Sequence, residues 1–424
     1  MRFEIADSEL LVDEPVGFSV SDVAPGAVVV VSARWELGGT PCEASGHFTA
    51  DTNGFVSPRT QPSFEGTYRG VEPLGLWWSA QYDGELGSAN LDPIIVSLTA
   101  STDVETVEET IVRRRIAPDV VVEAVSGDGL IGMYFRPPGD AVFPAAVVVG
   151  GSGGGLLGAD STAALLASRG IASLALAYFG LPGLPPGLAE VPLEYFASAI
   201  RWLAMRSEVD GNPAVIGASR GGELALLLGA TFTEVGAVVA LAPSSVVWGS
   251  FGPGSGPEVP AWTHEGRPVP WMTEGDEAAW AEVDKTSPVV STPGFLAELR
   301  NAEAVRVAQI PIERASCPIL MISGEDDAMW PSTLMAEQVE SRAAAHGFDS
   351  RLLHLRYSDA GHRCASTPGL PSPLIMSHPV DHELVAFGGT ASGNAAAQTD
   401  SWSKTIEFLH GVLPSRGKRP SERP

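Results

Sequence analysis

The sequence predicts two folds in succession: an all-β domain over residues 1–120 and an α/β domain over residues 121–414. Before residue 120, short apolar runs alternate with turns rich in Pro, Gly, Asp and Asn, a pattern typical of β-strands. After residue 120, strand-like and helix-like runs alternate, which indicates a mostly parallel sheet with helices on both faces. The polar, Pro-rich residues 415–424 are predicted to be a disordered tail.

The strand-like runs of the first domain are short and separated by turn residues. They are Phe18–Val20, Val28–Trp35, His47–Ala50 and Ile94–Leu98. Several short strands at this spacing predict a β-sandwich. We find no catalytic group of residues in this domain. Its three-residue basic run, Arg113–Arg115, is predicted to be solvated or to bridge the two domains.

The second domain begins with a predicted hairpin whose turn is Gly127–Gly129. Strands are predicted at Ala145–Val149, Ile171–Ala177, Ala214–Ile216, Ala237–Leu241, Ile319–Ile322 and Leu352–Leu355, and helices at Ser161–Ala167 and Leu193–Met205. Residues 249–271 interrupt this alternation with Gly, Pro and aromatic residues. A long structureless stretch in a compact domain is usually functional or disordered, and these aromatic residues favour an ordered lid or pocket wall.

The charge of the chain excludes several classes of partner. The formal net charge is -25 and the sequence pI is about 4.6. Neither a nucleic acid nor a membrane is expected as a partner, because binding to phosphates or to anionic lipids needs clustered Lys and Arg, and this chain is strongly acidic.

Cys42, Cys317 and Cys364 lie far apart and predict neither a disulfide framework nor a metal cluster. The acidic start, Met1–Glu9, does not resemble a signal peptide, and no apolar stretch approaches about 20 residues, so a cytoplasmic protein is expected.

One stretch carries the pattern of a catalytic serine. Gly217–Gly221 reads Gly-Ala-Ser-Arg-Gly and fits the G-x-S-x-G pattern of a nucleophile elbow. The apolar run Ala214–Ile216 before it suits a buried strand, and the Leu- and Ala-rich Glu223–Leu228 after it favours a helix. A strand, a sharp turn and a helix form the setting that this motif requires. The alternative is a Gly-rich turn with an incidental serine, but the rest of the chain favours Ser219 as a nucleophile.

Candidates for the base and its orienting acid follow the serine. A serine hydroxyl reacts well only when an oriented base removes its proton, and in α/β-hydrolases the chain order is serine, acid, histidine. Asp327 lies in the loop after a predicted strand, where the acid is expected, and Asp326 is the alternative. His362, in a Gly-His pair after the last predicted strand, is the expected base. A metal site at His378 and His382 would need a helix and further ligands, so none is expected.

The oxyanion formed during acyl transfer needs positioned hydrogen-bond donors. One is expected to be the backbone N–H of Arg220, directly after the nucleophile. The other is expected from Gly151 or Ser152 in the glycine-rich turn Gly150–Gly155. That turn could instead bind phosphate, but it lacks the G-K-[ST] ending of a P-loop and the context of a dinucleotide-binding fingerprint. Acyl transfer by serine, histidine and acid needs no cofactor and no metal, so neither is expected.

Several motifs together resemble the acyl-CoA thioesterase and bile acid-CoA:amino acid N-acyltransferase family, and the similarity extends over nearly the whole chain. In the first domain these motifs are Trp35, Ala50–Gly54 and Gly70–Trp77. In the second domain they are Gly153–Leu157, Leu176–Phe179, Leu193–Phe196, Ile216–Leu224, Phe387–Thr390 and Gln398–Trp402. Each motif alone is weak evidence, but together they are specific.

This resemblance implies an immunoglobulin-like sandwich followed by a dienelactone-hydrolase-like α/β-hydrolase domain. It implies acyl transfer from a CoA thioester through an acyl-enzyme, with Ser219 as nucleophile, Asp327 as acid and His362 as base. The N-acyltransferases of the family usually carry cysteine at the nucleophile position. Serine at this position therefore favours hydrolysis to the carboxylic acid and CoA.

Two other functions stay open from the sequence. One is an acyltransferase that passes the acyl group to an amine or alcohol, and the other is a carboxylic esterase or dienelactone-type hydrolase that does not use CoA. Because CoA is strongly anionic, a chain with this much negative charge would need a local basic patch to bind it. Arg220 is a candidate contributor to such a patch. The expected partner is therefore an acyl-CoA or another acyl (thio)ester.

Overall fold

The fold is that of a computed structural model in which residues 1–84, 86, 91–273, 280, 283, 288–348 and 351–414 are described. The chain divides into two compact units. The first unit combines Met1–Ala117 with Thr367–Pro373, and the second combines Pro118–Ser366 with the chain from Leu374 onward. The predicted tail at 415–424 lies outside the described residues.

The first unit consists of strands and one short helix. The elements are β1 (Arg2–Ile5), β2 (Glu9–Leu11), β3 (Phe18–Ser21), β4 (Val28–Leu37), β5 (Thr40–Thr49), β6 (Glu65–Gly66), α1 (Gly75–Trp78), β7 (Ile94–Ser101) and β8 (Thr106–Arg114). Six strands form a sheet in the order β2-β8-β7-β4-β5-β6, and β1 pairs with β3. All of these pairs are antiparallel except β2 with β8. The four strand-like runs predicted in this region overlap β3, β4, β5 and β7, so they are confirmed as strands.

Alternation along β4 explains why this sheet has one buried face. Val29, Val31, Ala33 and Trp35 are buried, while the residues between them are more exposed. Because successive side chains of a strand point to opposite faces, every second residue contributes to the core. The period-two pattern in the sequence therefore corresponds to a half-buried strand.

The basic run at the end of β8 differs from its prediction, because Arg113 and Arg115 are buried and only Arg114 is partly exposed. The guanidinium of Arg113 lies 4.3 Å from the centre of the Trp77 ring. It donates hydrogen bonds to the carbonyl oxygens of Gly369, at 2.7 Å, and Val12. These bonds explain why Thr367–Pro373, predicted as part of the α/β domain, belongs to the first unit.

The second unit alternates strands and helices. Its elements are β9 (Val121–Val125), β10 (Ile131–Arg136), β11 (Ala145–Val149), α2 (Ala159–Ser168), β12 (Ala172–Ala177), β13 (Val191–Pro192), α3 (Leu193–Ala204), β14 (Ala214–Ala218), α4 (Arg220–Thr231), β15 (Ala237–Leu241), β16 (Trp262–His264), β17 (Arg267–Pro268), α5 (Thr292–Glu298), α6 (Ala302–Ala308), a 3-10 turn (Ile312–Arg314), β18 (Ile319–Gly324), α7 (Ser332–Ala345), β19 (Leu352–Tyr357), β20 (Ile375–Ser377), β21 (Leu384–Ala386) and α8 (Ala391–Val412). The predicted strands and helices of this region are confirmed, with ends that shift by no more than three residues. The predicted hairpin turn at Gly127–Gly129 joins the antiparallel strands β9 and β10.

Eight strands form one mixed sheet in the order β19-β18-β15-β14-β11-β12-β10-β9. The six strands from β19 to β12 are parallel, and the β9–β10 hairpin adds two antiparallel strands at one edge. Every residue of β11 and β12 is buried, as expected for a parallel sheet covered on both faces. This is the α/β arrangement that the sequence predicts.

The order of the strands creates a switch point beside β11. The chain passes from β11 to its neighbour β12 on one side, and later to β14 on the other side. In open α/β sheets a crevice forms at the carboxyl ends of strands where the order reverses in this way, and ligands bind there. The glycine-rich turn follows β11 and the serine motif follows β14, so both predicted parts of the site begin at this switch point.

The aromatic-rich residues 249–271, predicted as an ordered lid or pocket wall, contain secondary structure of their own. They contain the β16–β17 hairpin, and β16 pairs with β13 in a three-stranded sheet. Trp262 on β16 is fully buried in the main core of the unit. Separately, no helix among the described residues combines the length and apolarity needed to cross a membrane.

Candidate active site

Ser219 lies at the sharp corner between β14 and α4. Its backbone has φ 58° and ψ -120°, a conformation that a residue with a side chain rarely adopts. The backbone N–H of Ser219 donates to the carbonyl oxygen of Leu241 on β15 at 2.8 Å, which extends the strand pairing to the corner. The predicted sequence of strand, tight turn and helix is confirmed around this serine.

Two glycines of the motif make this corner sterically possible. A Cβ atom built on Gly217 would lie 1.9 Å from the carbonyl oxygen of Gly221. One built on Gly221 would lie 2.4 Å from the carbonyl oxygen of Gly150, in the turn after β11. The motif therefore needs glycine at both positions because the backbones of two loops meet there.

His362 and Asp327 form a close pair. The Nδ1 atom of His362 lies 3.0 and 2.9 Å from the two carboxylate oxygens of Asp327. Asp327 follows β18 and His362 follows β19, and these strands lie parallel to β14 in the same sheet. The three residues predicted as nucleophile, acid and base therefore all follow carboxyl ends of strands at one edge of the sheet.

The surroundings of Asp327 fix the direction of its carboxylate. The carboxylate accepts hydrogen bonds from the backbone N–H groups of Met329 and Trp330 and from the hydroxyl of Ser332. The neighbouring Asp326, the alternative acid, is exposed, whereas Asp327 is buried. Of these two neighbouring acids, the structure pairs Asp327 with His362.

The loop that carries His362 is held by the residues that follow β21. The imidazole stacks on the ring of Phe387, with ring centres 6.3 Å apart and planes 12° apart. The backbone N–H of His362 donates to the carbonyl oxygen of Phe387 at 2.7 Å. A Cβ atom on Gly361 would lie 2.2 Å from that same carbonyl oxygen, so the Gly-His pair allows a close backbone approach.

The glycine-rich turn lies directly against the serine. A Cβ atom built on Gly151 would lie 3.1 Å from Cβ and 3.7 Å from Oγ of Ser219. Tyr178 contacts this turn through its hydroxyl, which is buried and lies 2.8 Å from the carbonyl oxygen of Gly150 and 3.2 Å from that of Gly151. Sequence reasoning assigned no role to Tyr178; its membership in the Leu176–Phe179 motif was the only signal.

The second predicted residue of the turn, Ser152, contacts a histidine that is distant in sequence. Its Oγ atom lies 3.0 Å from Nε2 of His378, across a separation of 226 residues. From the sequence, we consider His378 only as a possible metal ligand. Among the described residues no group of three or more His, Cys, Asp or Glu is arranged to hold a metal ion. The contact with Ser152 could not be anticipated, because no local pattern connects the two segments.

The side chain of Arg220 does not extend into solvent, and its proposed contribution to a basic patch is wrong. The guanidinium is buried, donates to the carbonyl oxygen of Trp248 at 3.0 Å and lies 3.3 Å from the carboxylate of Glu223. A cation paired inside the protein has little field left for an anionic ligand. The backbone N–H of Arg220 still begins helix α4, where such groups lack intrahelical acceptors.

Glu223 is a titratable residue that sequence reasoning did not single out. It is fully buried and accepts a hydrogen bond from the indole N–H of Trp262 at 2.8 Å. Burial raises the pKa of Glu223 to about 7, although the nearby Arg220 acts in the opposite direction. The bond from Arg220 to the carbonyl oxygen of Trp248 and the bond from Trp262 to Glu223 tie the start of α4 to Trp248 and to β16. They connect the serine corner to residues 249–271.

The fold and the motifs together define an α/β-hydrolase. Residues 191–415 match the family described as BAAT / Acyl-CoA thioester hydrolase C terminal, and residues 13–127 match the Acyl-CoA thioester hydrolase/BAAT N-terminal region. The chain belongs to this family, as the resemblance implied.

Curated relatives align along nearly the whole chain. A mouse peroxisomal succinyl-coenzyme A thioesterase is 29% identical, over 97% of this chain and 96% of the relative. Human acyl-coenzyme A thioesterase 1 is 28% identical, over 95% of this chain and 96% of the relative. Among solved structures, a dienelactone hydrolase-like promiscuous phosphotriesterase from metagenomic libraries matches over 70% of this chain and 100% of its own at 16% identity, with a TM-score of 0.41.

Proposed function

We propose that this protein is a serine-dependent acyl-CoA thioesterase that releases a carboxylic acid and CoA. The observation that carries the proposal is the His362–Asp327 pair, at the same sheet edge as the strained Ser219. A serine held in this conformation at a strand–helix corner presents its hydroxyl above the sheet. The membership of the chain in the thioester hydrolase family supports the substrate class.

The first half-reaction forms an acyl-enzyme. Oγ of Ser219 attacks the thioester carbonyl carbon while Nε2 of His362 accepts the serine proton. Asp327, bonded to Nδ1 of His362, keeps the imidazole in the tautomer that leaves Nε2 free to act as a base and then stabilises the imidazolium. The carbonyl oxygen becomes an oxyanion, which accepts hydrogen bonds from the backbone N–H of Arg220 and from Gly151 or Ser152.

The second half-reaction consumes water. Collapse of the tetrahedral intermediate breaks the C–S bond, and the imidazolium of His362 supplies the proton for the departing CoA thiolate. A water molecule then attacks the Ser219 ester with His362 again as the base, and the carboxylic acid leaves with regeneration of the serine hydroxyl. Neither half-reaction needs a cofactor or a metal ion, and we propose that none takes part.

A CoA-independent esterase or dienelactone-type hydrolase is the second candidate. The observation in its favour is the burial of Arg220 against Glu223, which removes one cation from the surface near the serine corner. With a net charge of -25, the chain as a whole repels an anionic substrate, and an uncharged ester avoids this cost. The same serine, histidine and acid serve either substrate.

An acyltransferase would use the same acyl-enzyme but a different acceptor. Ser219 in place of the cysteine usual in the family's N-acyltransferases favours water as that acceptor. Transfer to an amine or alcohol would require that residues 249–271 exclude water from the acyl-enzyme. Product analysis with and without candidate amine and alcohol acceptors separates transfer from hydrolysis.

The decisive experiment compares acyl-CoAs with oxygen esters of the same acyl groups. We expect thiol release from the acyl-CoAs, measured with a thiol-reactive dye, at a higher kcat/KM than ester cleavage. Ser219→Ala should abolish both activities without changing the thermal unfolding midpoint by more than a few degrees. Full thiol release by Ser219→Ala would refute the serine mechanism, and ester cleavage without thiol release would identify the second candidate.

The same proposal extends to the domains, the cellular location and the metabolic role of the protein. We propose that the first domain is an immunoglobulin-like sandwich and that the catalytic domain extends over residues 121–414 apart from Thr367–Pro373, which belongs to the first unit. A cytoplasmic location and a role in lipid metabolism fit this activity. They are tested by fractionation of cells that express the protein and by the range of acyl chains it cleaves. Neither a nucleic acid nor a membrane is proposed as a partner.

A further inference from the structure

We infer that Tyr178 and His378 are positioning residues of the oxyanion hole, which hold the Gly150–Ser152 turn from two sides. The inference rests on the proposed acyl transfer at Ser219. Neither residue needs to touch the substrate, because each bonds to the turn that supplies the second oxyanion donor. The two contacts come from different parts of the chain, one from the end of β12 and one from the segment after β20.

Tyr178 controls the direction of two peptide groups. Its hydroxyl is within hydrogen-bond distance of the carbonyl oxygens of both Gly150 and Gly151. In a trans peptide the N–H points opposite to the carbonyl group, so the N–H groups of Gly151 and Ser152 must point away from Tyr178. These are the two groups from which the second donor is expected.

The Tyr178 ring is itself firmly placed. It is fully buried and packs against the rings of Phe179, Phe196 and Trp262, with centre distances of 5.1, 5.4 and 5.7 Å. A buried aromatic ring with three such neighbours has little rotational freedom, so its hydroxyl offers a fixed point to the turn. Trp262 also bonds to Glu223, so the ring cluster and the start of α4 share one contact network.

His378 holds the other end of the turn. Its Nε2 lies 3.0 Å from Oγ of Ser152, and this pair is hydrogen-bonded whichever ring nitrogen carries the proton. On the other side of the ring, Nδ1 accepts from the backbone N–H of Val380 at 3.3 Å and lies 3.3 Å from the carboxylate of Asp381. The ring also meets Phe251 edge to face, 5.2 Å between centres. Contacts on both ring edges fix the imidazole, and through it the Ser152 side chain.

The glycine content of the turn explains why two such contacts matter. Gly150, Gly151, Gly153, Gly154 and Gly155 surround Ser152, and glycine gives a backbone the widest conformational freedom. An oxyanion donor stabilises the transition state only if it is already oriented before reaction. Loss of one whole donor costs about 10²–10³ in kcat, so loosening the turn should cost a smaller factor, about tenfold.

The first test removes single hydroxyl groups from two buried tyrosines. Tyr178→Phe should lower kcat about tenfold and leave KM within about twofold, because the lost orientation matters only in the transition state. Tyr134→Phe is the matched control: its hydroxyl is also buried and bonded, to Glu208 at 3.0 Å, but it does not bond to the turn. An unchanged kcat for Tyr178→Phe, or equal losses in both variants, would overturn the role of Tyr178.

The second test asks whether His378 acts through Ser152. Ser152→Ala and His378→Ala should each lower kcat, and the double variant should lose no more than the worse single variant. Ser152→Thr, which keeps a hydroxyl, should recover most of the loss. Multiplicative losses in the double variant, or an unchanged kcat for Ser152→Ala, would show that His378 does not position the turn.

A matched pair elsewhere in the unit checks for general damage. The side chain of His354 is buried and bonded to Ser323 at 2.8 Å and to Glu340 at 3.0 Å, and so resembles the His378 arrangement. His354→Ala should lower the unfolding midpoint with kcat unchanged. If His378→Ala does not fold, His378→Gln, which keeps an N–H near the Nε2 position, takes its place in the cycle.

A transition-state analogue separates this inference from the proposed function. An alkyl trifluoromethyl ketone adds the Ser219 oxygen to its carbonyl carbon and forms a hemiketal oxyanion in the hole, visible by fluorine NMR. Wild-type enzyme should bind it more tightly than Tyr178→Phe and Ser152→Ala do, by about the factor lost in kcat. If only oxygen esters are cleaved, the thioesterase proposal fails while the inference is tested on those esters. Equal analogue affinity in all variants, or no adduct with the wild type, would overturn the inference.

Discussion

The Nδ1 atom of His362 lies between the two carboxylate oxygens of Asp327, at 3.0 and 2.9 Å. The carboxylate also accepts from two backbone N–H groups and from the hydroxyl of Ser332, so its position does not depend on the histidine alone. An acid held in this way can orient the imidazole without moving during catalysis.

We therefore expect Asp327→Asn to fold normally but to lose activity. An amide can donate a hydrogen bond to Nδ1 of His362 and so stabilise the wrong tautomer, in which Nε2 is protonated. The kcat should fall by about 10³–10⁴, with a small change in KM. The exposed neighbour gives the control: Asp326→Asn should keep kcat within about twofold. Steady-state kinetics on both variants decide the point, and a large loss in Asp326→Asn would contradict the assignment of the acid.

The glycine after the serine should tolerate no side chain. In Gly221→Ala the new Cβ would lie 2.4 Å from the carbonyl oxygen of Gly150, so the elbow and the turn must separate. We expect loss of activity together with a lower unfolding midpoint. Gly411→Ala is the contrasting change, because no atom outside its own helix turn lies within 4 Å of the new Cβ on α8, and alanine should stabilise that helix by about 0.5–1 kcal/mol. A fully active Gly221→Ala enzyme would contradict this account of the elbow.

The buried Glu223 should make stability depend on pH. Because burial raises its folded-state pKa from 4.5 to about 7, the folded protein binds this proton more strongly than the unfolded chain. The resulting stabilisation is complete below about pH 4.5 and is lost as the pH rises through about 7. The free energy of unfolding should therefore lose up to about 3 kcal/mol from this group over that range.

The variant Glu223→Gln isolates this contribution from the many surface carboxylates. It cannot titrate, and its side-chain oxygen can still accept from the indole N–H of Trp262. Calorimetry at about pH 5 and about pH 8 should show a smaller fall in the unfolding midpoint for the variant than for the wild type. Parallel falls in both proteins would mean that Glu223 is charged throughout, paired with Arg220.

The buried Arg113 should matter for the first unit, whereas its neighbour should not. Arg113 bonds to Gly369 and Val12 through two different nitrogens, whereas a lysine offers one, and each lost bond from a charged donor costs about 1.5–3 kcal/mol. Arg113→Lys should therefore lower the midpoint of the calorimetric transition of this unit. Arg114→Lys, at a partly exposed position paired with Glu9, should change it little. Equal shifts for the two variants would count against a special role of the buried guanidinium.

Sequence patterns predicted those parts of the molecule that depend on neighbouring residues. The strands at Ala145–Val149 and Ala237–Leu241 were predicted to the residue, because continuous apolar runs between turn signals have few other solutions. The elbow at Ser219 was equally predictable, since its glycines are needed locally. Solvation of the basic run, however, was the wrong expectation at Arg113, because a run of charges does not reveal which aromatic ring or carbonyl group it will meet.

By itself, the sequence determined the two fold types, the order of the strands along the chain, the serine elbow and the candidates that follow it as acid and base. Only the tertiary structure paired His362 with Asp327 rather than with Asp326, packed Arg220 against Glu223 inside the protein, and brought His378 to Ser152 across 226 residues. The physical reason is the range of the forces involved. Periodicity and turn chemistry act between residues close in sequence, whereas the pairing of buried polar groups depends on which distant segments the packed core brings together.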